Sequence, residues 1–148
     1  MGQFYFGERG QNYFGVDNYA GAQNNLGDLY ELGKGVSKND KQAVYWYTRS
    51  AERGEPTAYL SLCTILADSE DEGGLIEALK FALLAIDKLP DGMNKATATK
   101  TAEKLKAVLP QAAQDRAKAL ADAWEPLYQE KYLMSDTPAA KKLGAAAK

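Results

Sequence analysis

The chain contains no histidine. That absence removes Ser-His-Asp and Cys-His catalysis, histidine-ligated zinc and a histidine pH switch together. A single cysteine, Cys63, permits neither an intrachain disulfide nor a CxxC metal knuckle, and reads as a buried thiol on an apolar helix face. No apolar run approaches the roughly 20 residues that span a bilayer. The opening MGQFYFGERG lacks the basic start and apolar stretch of a secretory signal. Basic excess is missing as well: 18 Lys and Arg stand against 20 Asp and Glu. Binding that neutralises many phosphates is therefore not expected, and nucleic acid drops out as a partner.

What remains is a chain of 148 residues, 45% hydrophobic and 26% charged, the size of one globular domain. Its charge is uneven. Residues 1–94 hold eight basic and fourteen acidic side chains, whereas residues 95–148 hold ten and six. Such polarity can orient an approaching partner.

Self-comparison reveals a repeat. Ala22, Leu26 and Leu29 recur 36 positions later as Ala58, Leu62 and Ile65, and Ala43, Trp46 and Ser50 recur 35 later as Ala78, Phe81 and Ala85. A period near 35 residues is the mark of stacked helix pairs. Ala22, Leu26, Leu29, Tyr30 and Gly33 stand at steps of three and four, one stripe of a helix, with Gly27 allowing a close helix approach. Gly33 and Gly35 supply a stop. Asp40 is the expected N-cap of a second helix through Ala43, Trp46, Tyr47, Ser50 and Ala51; Gly54 closes it and Pro56 opens the third.

On these residues the segment 22–58 resembles a Sel1-like repeat, a relative of the tetratricopeptide repeat. The likeness is carried by Ala22, Leu26-Gly27, Tyr30, Gly33, Gly35, Val36, Asp40, Ala43, Trp46-Tyr47, Ala51 and Gly54. The resemblance implies an all-α fold without β-sheet, a short right-handed solenoid of antiparallel helix pairs over residues 1–126. Residues 1–20 form a shortened first unit, in which Met1-Gly2, Phe4-Tyr5 and Gly10 align with Leu26-Gly27, Leu29-Tyr30 and Gly35. Residues 21–55 are the complete repeat and 56–90 a degenerate one. Residues 92–125 form a closing helix pair split at Leu109-Pro110, with a polar outer face. The tail 127–148 is expected to be partly disordered.

Candidate chemistry is sparse. Asp68, Glu70, Asp71 and Glu72 form an acidic run without the ligand spacing of a calcium loop. Asp28 and Glu31 lie one turn apart, yet no nucleophile or oxyanion site accompanies them. Tyr30, Tyr45, Trp46, Tyr47 and Phe81 fall at helical spacings that indicate packing, except Tyr45, which lies off the stripe and should be exposed. Lys38, Lys41 and Arg49 are interrupted by acids, and GKG at 33–35 ends a helix, so no phosphate loop is formed. No catalytic residue, cofactor or metal site is assigned.

In the family resembled, the first helix of each pair lines a concave face that receives a peptide or partner domain. The implied function is a non-catalytic protein-binding adaptor, with another protein or a peptide as partner. The positions off the Ala22/Leu26/Tyr30 stripe, Asn24, Asn25, Asp28 and Glu31, are the candidate contacts, with Leu60, Ser61 and Thr64 in the next unit. A second implied reading is a bacterial immunity protein that neutralises a toxin or secreted effector. Hydrolysis of cell-wall or β-lactam substrates is tied to cysteine-rich members, and Cys63 stands alone. Trp46 is expected between helix pairs; there, Trp46→Ala would cost about 3–5 kcal/mol in a denaturation experiment.

Overall fold

A computed structural model describes residues 20–126. The expected shortened first unit, with its aromatics Tyr13, Phe14 and Tyr19, and the tail 127–148 lie outside the described residues, save Ala20 at the first unit's edge. Six helices follow in order: α1 Ala20–Leu32, α2 Asp40–Glu52, α3 Pro56–Leu66, α4 Glu72–Lys88, α5 Met93–Val108 and α6 Gln111–Asp122. No strand occurs among the described residues, and the fold is all-α. α1 packs on α2 and α3 on α4; α2 packs on α3, α1 touches α3, and α3 touches α5. First helices thus neighbour first helices, the adjacency of a helix-pair stack.

Local chemistry accounts for the element ends. Gly33 follows α1 at φ 70°, a left-handed conformation that costs glycine little. The N-cap of α2 is Asn39, whose side chain accepts from the Gln42 N–H at 3.1 Å. Asp40, expected in that role, is instead the first helical residue, where its charge favours the positive end of the helix dipole. Pro56 is the first residue of α3 behind the N-cap Glu55.

The α1–α2 contact rests on a close approach. Tyr47 is fully buried, and a Cβ placed on Gly27 would lie 2.5 Å from two of its ring carbons. The Ser50 hydroxyl donates to the Ala20 carbonyl at 2.6 Å, tying the other end of the pair. Gln23, Asn24 and Gly27 are the buried residues of α1, while Ala22, Leu26, Leu29 and Tyr30 are half-buried. The expected apolar stripe is thus turned from the α2 contact, which runs through the smaller, more polar side. In the second unit the equivalents of Gly27 and Tyr47 are Cys63 and Ala82, both fully buried. The side chain gained at one position is matched by bulk lost at the other.

Two further expectations change. The buried residues of α2 are Ala43, Tyr47, Ser50 and Ala51, and Trp46 is only half-buried, its ring edge-on to Tyr45 at 5.1 Å between centroids. Tyr47 holds the interior because Gly27 opens a slot for it, which rotates Trp46 outwards. Tyr45 is half exposed, at 50%, as its place off the stripe implies. The helices over 92–125 do not pair as a hairpin: α6 packs along α4 and not along α5. Its stripe of Ala113, Ala117, Leu120, Ala121 and Trp124 finds an apolar face on α4, whereas the free faces of α5 carry Lys100, Glu103, Lys104 and Lys106.

Two substitutions check this packing. Gly27→Ala should destabilise by about 1–3 kcal/mol, since the added methyl has no space beside Tyr47. Trp46→Ala, with a half-buried indole, should cost about 1–2 kcal/mol, well short of a core value, and urea titration of both variants measures the two losses.

Candidate functional site

Gly27 leaves a slot on α1, and the Tyr47 ring crosses it from α2. A buried phenol needs a polar partner for its tip. The residues flanking the slot provide two: the Tyr47 hydroxyl lies 2.7 Å from Asp28 Oδ1 and 2.5 Å from Glu31 Oε2. Both carboxylates are half-buried. One hydroxyl proton is thus shared between two anionic acceptors. Burial, then the hydrogen bonds to Glu31 and Asp28 and their negative charge, push the Tyr47 phenol far above its ordinary range.

The other expected contact residues separate into two groups. Asn24 is buried, its side-chain oxygen accepting from the Ser61 hydroxyl at 3.2 Å. This bond joins α1 to α3, with Asn24 buried and Ser61 half-buried at the seam between the units. Asn25 is exposed. Leu60 is half-buried against the core, and Thr64 is half-buried with its hydroxyl donating to the Ser61 carbonyl. The face shared by α1 and α3 thus presents Asn25, Asp28, Glu31 and the edge of Thr64. No Lys or Arg among the described residues pairs with Asp28 or Glu31.

Tyr47 is the residue of this candidate site that the sequence placed only in the packing. Its signal was present: a glycine opposite a tyrosine, with acids one and four positions beyond that glycine.

The other sites are structural. Cys63 is fully buried, and burial pushes its thiol up to about 12. Asp71 faces its own loop and the start of α4, accepting from the Ser69 hydroxyl, which holds its carboxyl below the usual range. No group of three or more Cys, Asp or Glu side chains among the described residues is arranged to hold a metal ion. No described helix is long and apolar enough to cross a membrane. A groove of about 570 Å³ lies where α4, α5 and α6 meet, away from the α1–α3 face.

Residues 20–55 match the family model of the Sel1 repeat. That span is α1, its turn and α2, the pair built on the Gly27–Tyr47 contact. No curated protein and no solved structure matches the chain.

The buried phenol and thiol set an alkaline limit. Both are raised in the folded state, so their stabilisation is complete below the unfolded values of 9.0 for Cys63 and 10.0 for Tyr47. It is lost as pH climbs above them, because the unfolded chain then releases protons that the folded chain retains. The unfolding free energy should therefore fall with pH above about 9. Tyr47→Phe should flatten part of that fall while costing about 1–2 kcal/mol at pH 7. Cys63 should react with a thiol reagent at neutral pH only as fast as the chain unfolds.

Proposed function

We propose that this chain, whose residues 20–55 match the Sel1 repeat, binds a basic segment of a partner protein on the face shared by α1 and α3. Sel1 repeats generally mediate protein–protein interaction, and their family is typically non-catalytic. The observation that carries the finer reading is the pair Asp28 and Glu31, pinned side by side by one buried phenol and left without a cation from the described residues. Fixing two anions in one place stabilises a folded protein little; it favours whatever brings positive charge to them. The phenol holds both acceptors in position before binding, so less side-chain freedom is lost when a guanidinium or ammonium group arrives. Asn25 adds a hydrogen-bonding group on the same helix, and Thr64 extends the face onto α3. An extended or helical segment carrying one or two Arg or Lys side chains is the fitting occupant.

Selection of binders from a random peptide library displays the preference directly. Recovered sequences should be rich in Arg and Lys. Asp28→Lys with Glu31→Lys should weaken a selected peptide by about tenfold or more, with binding falling as salt rises. The outer-face reversal Asp122→Lys should leave affinity unchanged. Peptides without basic residues, or equal affinity after the double reversal in a folded protein, would remove this face from the function.

A further inference from the structure

Five helices follow the repeat pattern and α6 does not. It leaves α5 through Leu109 and Pro110, both in extended backbone, and lies along α4. Its fully enclosed residues are the small Ala113 and Ala117, with Leu120 and Ala121 packed on the core at its far end. The large anchor comes just past its end. The Trp124 ring stands edge-on to Phe81 and Tyr59 with centroids 5.5 and 6.4 Å away, and its N–H donates to the Tyr59 hydroxyl at 3.2 Å. The Lys80 ammonium, paired with Glu77, sits 4.9 Å from the Trp124 centroid. A helix of twelve residues held by alanines and one aromatic is close to the length at which helices do not persist alone.

The face beneath is built to be covered. Leu79, Lys80, Leu83 and Leu84 of α4 occupy the places that Val44, Tyr45, Thr48 and Arg49 hold on α2, 35 residues earlier. An outer surface that is mostly polar or aromatic on α2 has become largely aliphatic on α4. Opening α6 loses few contacts with α5, since the two do not pack along each other. What holds the connection shut is Gln114, whose side-chain amide donates to the Lys106 and Leu109 carbonyls at 2.9 and 2.8 Å.

We propose that α6 is an exchangeable strap: it opens as a unit about Leu109-Pro110, and the α4 face that it uncovers takes α6 of a second copy. The same contacts then form between chains as within one, so the exchange sacrifices little beyond the Gln114 bonds at the hinge. No ion pair among the described residues joins α4 to α6, since Lys88 pairs with Asp87 and Lys118 with Asp122, so the charged rim does not tie α6 to its own chain. The proposal is independent of the α1–α3 face.

Hydrogen exchange and sedimentation of the full chain test it together. In dilute monomer, α6 amides should exchange about tenfold or more faster than those of α4, the signature of local opening. Trp124→Ala should accelerate α6 alone; where that variant fails to fold, Leu120→Ala serves. Concentrated protein should yield a dimer, increased by Gln114→Ala, in which the α6 amides from residue 115 onwards are protected and those of Leu109 and residues 111–114 are not. A common exchange rate for α4 and α6, a chain monomeric at every concentration with and without Gln114→Ala, or a dimer with fully protected hinge amides would overturn the proposal.

Discussion

A missing side chain organises the first repeat. Because Gly27 has no Cβ, the Tyr47 ring can lie against the backbone of α1, and this close approach brings the helices of the pair together. Two further features of the repeat follow from it. Tyr47 takes the interior, so Trp46 is displaced towards the edge. The phenol tip, carried across α1, has to be satisfied on the far side and meets Asp28 and Glu31 there. Packing and candidate site are thus two ends of one residue, and stabilising the pair fixes the carboxylates at the same time.

The second unit shows that the constraint is one of volume. With Cys63 in place of Gly27 and Ala82 in place of Tyr47, the pair fills its interior from the opposite helix. No phenol then crosses from α4 to the α3 surface; the buried phenol of this pair, Tyr59, belongs to α3 and meets Trp124 instead. At the equivalents of Asp28 and Glu31 stand Thr64 and Ala67. The face is accordingly asymmetric: directional and anionic on α1, nearly neutral on α3. Asn24 and Ser61 join these two surfaces, which lets them act as one.

Much of this was legible in the residues. The 35-residue period, the stop at Gly33 and Pro56 opening α3 all follow from spacing and backbone chemistry, because each depends on neighbours within a turn or two. Asp28 and Glu31 were legible as surface positions for the same reason. What a helical stripe cannot reveal is the rotation of a helix against its neighbour. Ala22, Leu26 and Leu29 form a good apolar row, yet α1 buries Gln23, Asn24 and Gly27 instead, since the contact is chosen by how close the backbones come and not by hydrophobicity alone. The choice between Trp46 and Tyr47 turns on the same rotation. The burial of Asn24 at the seam is invisible to local spacing, because its partner Ser61 is 37 positions away.

The end of the stack was the least legible part, and the reason is visible in α4. A second helix in such an array ordinarily needs apolar side chains only towards its own pair and the next. α4 is buried on more sides than that, with Ile76, Leu79, Phe81 and Leu84 all enclosed. Read as a repeat, the sequence from 92 to 125 promises another hairpin; read from α4, it has to furnish a cover. The second demand wins because a few alanines, Leu120 and Trp124 gain more from the aliphatic surface of α4 than from the charged sides of α5. Among the described residues, the sixth helix in this way folds back over the preceding pair. The energetic weight of that closure gathers at Tyr59, Phe81 and Trp124, where α3, α4 and the residues just beyond α6 converge.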